Sequence, residues 1–310
     1  IFALVRSTIK RSLRIFPIYF LYISVFIFIC LYYYQYDRLE KTIIPMLTYT
    51  INIYAMFRNH VDMNGMGHLW SLAVEEQFYL VWPFVIYYIN LKFLKKTLFS
   101  ILLIIPIFRL VLFYLIQTKT NDLHYSGELV YLNPLSHFDA FASGALIIFF
   151  EEKYKSFQIK DARVILLGAL TIVVFIGVFK LIDEVPQNGF SLSYLSTGGF
   201  PHLMINNFGY FFGYTLLNLF FSILIFCVIK CPNILAFLKN KFLVYTGKIS
   251  YGLYMYHVPV LIFIQHLKIS NSLAGKISLM ILYFGLTYLL AMFSFKTVER
   301  YFMSFKQKLI

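Results

Sequence analysis

Apolar blocks of about twenty residues alternate with short polar breaks along the chain, the length a helix needs to cross a hydrocarbon core about 30 Å thick at about 1.5 Å per residue. The blocks fall near 15–34, 68–90, 97–117, 134–150, 163–182, 203–229, 249–267 and 275–296, with a shorter apolar stretch at 42–57. Strands of a membrane barrel would alternate polar and apolar positions. Ile15 to Tyr34 does not. Lipid offers the backbone no hydrogen-bond partner, so such blocks must be helical. The pattern predicts an all-α polytopic transmembrane bundle of about eight spans.

Charge decides what the 42–57 stretch does. Cytoplasmic loops collect Lys and Arg. If 42–57 enters the membrane and returns, the clusters around Arg6 to Arg14, Lys92 to Lys96, Lys153 to Arg163, Lys230 to Lys248 and Lys296 to Lys308 all share one side. A full crossing would send every later cluster outward. The expectation is therefore eight spans plus one re-entrant segment, with both ends of the chain cytoplasmic. Arg58, His60 and Asp62 then follow in an outer loop. Two further outer loops, 118–133 and 183–202, carry Asp122, Glu128, Asp183 and Glu184; they either cover a substrate opening or simply connect helices. Residues 1–310 read as a single membrane domain. Its apolar start, Ile1 to Val5, reads as a cut, with earlier helices expected upstream.

Composition supports lipid as the solvent: 60% of residues are hydrophobic, 13% are charged and mean hydropathy is +0.74. The net charge of +13 lies in the breaks between spans, where topology accounts for it without nucleic acid. Cys30, Cys227 and Cys231 sit in or beside apolar blocks and suggest neither a disulfide framework nor a zinc site. The chain lacks the Gly-x-Ser-x-Gly elbow, the phosphate-binding Gly-rich loop and His-Glu-x-x-His, which removes the usual signals of serine hydrolases, P-loop ATPases and zinc proteases. No metal is expected.

Polar groups inside spans are the functional candidates, because each charged one costs about 3 kcal/mol to insert. In His68-Leu-Trp-Ser-Leu-Ala-Val-Glu-Glu-Gln-Phe-Tyr-Leu-Val-Trp-Pro83, helical spacing puts His68, Ser71, Glu75, Tyr79 and Trp82 on one stripe. His68 and Glu75 lie about 10.5 Å apart along a straight helix, so each needs another partner. A structurally hydrogen-bonded carboxylate is the other reading of Glu75. Ser250, Tyr254 and His257 repeat the geometry ahead of Pro259, which loosens backbone bonding; a satisfied core histidine is the alternative there. Arg11 and Arg14 stand one turn apart and suit bidentate phosphate contacts, although topological anchoring explains their charge equally well. Arg109, in mid-span, needs a counter-charge, for which Asp139 is the candidate; snorkelling to an interface is the other reading.

The His68–Pro83 block, Arg11-x-x-Arg14-Ile-x-Pro-x-Tyr19 and Gly247-x-Ile-Ser-Tyr-x-Leu-Tyr-x-x-His257-x-Pro259 together resemble the acyltransferase-3 family of bacterial inner-membrane proteins. The resemblance implies an O-acyltransferase that moves an acyl group from acyl-CoA, in the first instance acetyl-CoA, to a hydroxyl of a cell-surface or lipid-linked glycan. It implies the bilayer, that donor and that saccharide as partners. Arg11 and Arg14 would hold the donor. His68, Glu75 and His257 would act as or orient the catalytic groups, and Ser71, Tyr79, Arg109, Asp139, Ser250 and Tyr254 would bind substrate. Relatives have about ten spans, so two N-terminal helices are expected to be missing here, including the one with the family's proposed base histidine. A chain without it would be inactive as written. His137 stands where relatives commonly carry Arg. A membrane transporter or exporter of small acids or glycans is the alternative from another class, and a non-catalytic relative is a third.

Overall fold

Helix is the regular structure throughout the described residues of the computed structural model, which are 2–57, 66–154, 156–188, 213–267 and 272–308. In chain order the helices are α1 (Phe2–Tyr32), α2 (Tyr36–Leu47), α3 (Ile51–Phe57), α4 (Leu69–Tyr88), α5 (Leu91–Thr120), α6 (Leu123–Leu132), α7 (Phe138–Lys153), α8 (Ile159–Asn188), α9 (Tyr214–Lys230), α10 (Lys241–Lys248), α11 (Ser250–Gln265), α12 (Leu273–Ser294) and α13 (Arg300–Lys308). A π turn, Phe295–Glu299, joins the last two. The all-helical expectation holds. Among the described residues, four stretches are long and apolar enough to cross a membrane: Arg11–Tyr32, Leu91–Thr120, Ile159–Val178 and Leu273–Phe305. The other anticipated spans are less simple. α7 and α11 have 16 residues each, α9 has 17, and Glu75-Glu76-Gln77 interrupts the apolar run of α4. The anticipated outer loop holding Arg58, His60 and Asp62 lies outside the described residues, as do 189–202 of the loop placed at 183–202.

Punctuation by cap residues explains several boundaries. Asn90, Asp122, Asn240 and Ser272 each accept a backbone N–H from the first turn of the helix that follows, satisfying donors that a helix start leaves without intrahelical partners. α5 ends at Asn121 in the left-handed region, φ 53°, a conformation Asn tolerates.

The chain forms two compact units. One comprises residues 1–83 and 238–310, the other 84–237. In the first, Ile18, Tyr19, Tyr22 and Ile23 of α1 form a core with Met46, Leu69, Leu72 and Met255. The 42–57 stretch is not one helix. It breaks at Thr48–Thr50 between α2 and α3, where Tyr49 takes φ 53°. A bulky residue rarely holds that conformation. Here the Tyr49 ring stacks on Tyr19 with centroids 4.1 Å apart, and Gln77 Nε2 of α4 donates to the Tyr49 carbonyl at 2.8 Å and to Asn52 Oδ1 at 2.9 Å. Gln77 therefore pins the break to α4. Elsewhere in this unit Gly252 of α11 faces Ala291 of α12 so closely that a Cβ would stand 3.2 Å from the Ala291 Cα, so a small residue permits the helix approach.

The second unit is organised around a fully buried ion pair. Arg109 on α5 and Asp139 on α7 are both 0% exposed, with Nη1 and Oδ2 2.9 Å apart. The guanidinium also donates to the Ser136 carbonyl at 2.7 Å and to Thr215 Oγ1 at 2.6 Å. Asp139 in turn accepts from Thr215 Oγ1, Asn218 Nδ2 and the Ala140 N–H. The network joins α5, α7 and α9 by satisfying both charges. Beside it, His137 Nε2 donates to the Tyr131 carbonyl at 2.7 Å. Arg109→Met would strand a buried carboxylate at a cost of about 3–5 kcal/mol. The melting temperature of the detergent-purified protein should fall sharply, and Arg109→Met with Asp139→Leu should recover part of the loss; an equal loss in both would contradict this role.

Candidate functional site

The site lies in the first unit, where α1, α4 and α11 surround a cavity of about 410 Å³. α1 supplies Arg11, Arg14 and Ile15, α4 supplies Ser71, Leu72, Glu75 and Tyr79, and α11 supplies Ser250, Tyr251 and Tyr254. Seven residues singled out in the sequence thus share one cavity: Arg11, Arg14, Ser71, Glu75, Tyr79, Ser250 and Tyr254. The stripe on α4 puts Ser71, Glu75 and Tyr79 on the same wall because they recur at helical spacing.

Arg11 lies over the Tyr79 ring, its guanidinium carbon 4.3 Å from the centroid. A guanidinium stacked by its face keeps its N–H edge free for a planar anion. Arg14, one turn on, is exposed along the same helix. The same lining carries the hydroxyls of Ser71, Tyr79, Ser250 and Tyr254 and the Glu75 carboxylate.

Tyr254 ties α11 to α4. Its hydroxyl bonds to Ser71 Oγ and donates to the His68 carbonyl at 2.5 Å. The Tyr251 hydroxyl donates to the Ile15 carbonyl at 3.1 Å and ties α11 to α1. These contacts fix three helices around the cavity through side chains that themselves line it.

His68 and His257 are not in the cavity wall. Both rings pack against that of Tyr254, and their own centroids are 5.1 Å apart with the planes at 74°. His257 Nδ1 bonds to the Tyr254 carbonyl. A carbonyl only accepts, so Nδ1 donates to it and carries a proton. His68 packs edge-on against Tyr22, centroids 5.7 Å apart. Its ring nitrogens are buried and have no close hydrogen-bond partner among the described residues, with the Met255 backbone beside them. Pro259, four residues beyond Met255, has no N–H to bond the Met255 carbonyl. The proline noted in the sequence thereby leaves a backbone acceptor facing an imidazole.

Arg109 and Asp139 belong to the second unit and are committed to each other and to Thr215, Ser136 and Asn218. None of the residues lining the cavity comes from that unit. Tyr251, to which the sequence assigns no role, also lines the cavity, next to Ser250 in the same motif. No group of three or more His, Cys, Asp or Glu suited to a metal occurs among the described residues.

Residues 2–296 match the family model described as an acyltransferase domain. The O-acetyltransferase OatA of Staphylococcus aureus (strain NCTC 8325 / PS 47) is 24% identical over 247 residues, which are 78% of this chain and 36% of that protein. An uncharacterized protein of Haemophilus influenzae is 26% identical over 194 residues, 59% of this chain and 79% of its own. The chain thus spans about a third of the length of the S. aureus relative. No solved structure matches it. The family match runs through α1, α4 and α11, the three helices that form the cavity, and the chain belongs to the acyltransferase-3 family of membrane acyltransferases.

Proposed function

We propose that the protein transfers an acyl group, in the first instance acetyl, from acyl-CoA to a hydroxyl of a cell-surface or lipid-linked glycan, working in the bacterial inner membrane with both ends of this chain cytoplasmic. The observation that carries this reading is the joint cavity of Arg11, Arg14, Glu75 and the hydroxyls of Ser71, Tyr79, Ser250 and Tyr254. The name of the S. aureus relative supplies oxygen as the acceptor atom and acetyl as the group.

Arg11 and Arg14 hold the donor phosphates, since paired guanidinium groups favour bidentate contacts with phosphate oxygens. In this reading the thioester lies toward Ser71 and Tyr254. Glu75 is the carboxylate in the cavity wall and handles the proton that the acceptor hydroxyl gives up as its oxygen attacks the thioester carbonyl. The carbon–sulfur bond breaks and CoA leaves as a thiolate that takes up a proton. His68 and His257 hold Tyr254 in place through the contacts at its hydroxyl and its carbonyl. A donor-dependent mass gain of one acyl group on the glycan supports this reading; flux of glycan or small acid without acylation would point to transport instead.

Two substitutions separate the roles. Arg14→Ala removes a charge-assisted contact worth about 1.5–3 kcal/mol, so the KM for acyl-CoA should rise about 10- to 100-fold. An unchanged donor KM would remove the clamp. Glu75→Gln should lower kcat by about 10²- to 10⁴-fold, the usual contribution of a proton-handling side chain, while leaving donor KM nearly constant. A normal kcat would assign the proton to another group.

A further inference from the structure

Toward the end of α12 the fully buried positions descend at helical spacing through Thr287, Ala291 and Ser294. On a continuing α-helix the next member would be Val298. Instead the chain makes the π turn Phe295–Glu299. A π turn holds one more residue than an α turn, and the buried place passes from Val298 to Glu299, which is 0% exposed, while Lys296, Thr297 and Arg300 face outward. The register shift thus exchanges a valine for an acid at a buried position.

Both carboxylate oxygens of Glu299 are buried and have no hydrogen-bond partner among the described residues. Burying an unpaired carboxylate disfavours folding, and a valine there would not. Among the described residues, Arg14 is a cation within electrostatic reach of Glu299. Glu299 also faces Tyr251 and Tyr256; the Tyr256 hydroxyl is committed to Ser294 Oγ at 3.0 Å, and that of Tyr251 to the Ile15 carbonyl. Helix α1 packs on the π turn, and its Arg14 lines the cavity with a long, exposed side chain.

We infer that Glu299 is a positioning residue: its buried charge draws the Arg14 guanidinium against the cavity wall and sets it before the donor arrives. Holding a flexible side chain in its bound geometry lowers the entropy lost on binding, so the carboxylate acts on affinity without touching the ligand. The inference rests on the reading that Arg14 binds donor phosphate.

The test titrates acetyl-CoA into the detergent-purified full-length protein and reads Kd and melting temperature. Glu299→Gln should weaken acetyl-CoA binding about three- to tenfold and leave the melting temperature level or higher, because a buried charge has gone. Glu299→Asp, which keeps the charge but withdraws it by one methylene, should fall between the two. In an Arg14→Ala background Glu299→Gln should add less than about twofold, since the effect passes through Arg14. Wild-type affinity in Glu299→Gln, or the same loss with and without Arg14, overturns the inference. If Arg14→Ala itself leaves Kd unchanged, the donor clamp falls and this role falls with it, a result distinct from the other two. Should Glu299→Gln fail to accumulate, Glu299→Asp carries the same cycle with Arg14→Ala, and unchanged binding or a loss independent of Arg14 overturns the inference.

Discussion

A charged or hydrogen-bonding group on a lipid-embedded helix has no water to turn to, so another helix must satisfy it or a cavity must admit its partner. The two units meet this constraint in opposite ways. In the second, Arg109 and Asp139 neutralise each other and spend their remaining capacity on Thr215, Ser136 and Asn218. In the first, Arg11, Arg14 and Glu75 face a cavity. A closed network holds helices together; an open one has capacity left for a ligand. That difference separates a structural charge pair from a candidate site, although both looked alike as polar residues in apolar blocks.

The hydrogen bonds that build the cavity are also the ones that hold the unit. Tyr254 joins α11 to α4 through Ser71 and the His68 carbonyl, and Tyr251 joins α11 to α1 through the Ile15 carbonyl. Gln77, in the same motif as Glu75, pins the break between α2 and α3 through the Tyr49 carbonyl and Asn52. One side of α4 therefore lines the cavity while Gln77 braces its surroundings. Packing and chemistry share these residues, which accounts for the density of polar positions in a helix that must also bury Leu69, Leu72 and Ala73.

Much of this was legible in the sequence because helical spacing converts order into a face. The stripe through Ser71, Glu75 and Tyr79 and the pair Arg11 and Arg14 could be placed together from periodicity and motif, and Asp139 could be named as the counter-charge to Arg109. Departures from ideal spacing were not legible. The break at Tyr49 depends on a stack with Tyr19 and a bond from Gln77, both remote in sequence. Glu299 reads as one more charge at the end of a span, and only the π turn carries it inward. His68 and His257, expected to act as or to orient the catalytic groups, pack on Tyr254 and on each other and are not among the residues lining this cavity.

The central claim is that the cavity between α1, α4 and α11 receives the acyl donor with its phosphates at the two arginines. An electron cryo-microscopy map of the full-length protein in lipid nanodiscs with a non-hydrolysable acetyl-CoA analogue tests it most directly. The account predicts phosphate density against Arg11 and Arg14 and the acyl end directed toward Ser71, Glu75 and Tyr254. Donor density lodged elsewhere, with this cavity filled by lipid or water, would contradict it.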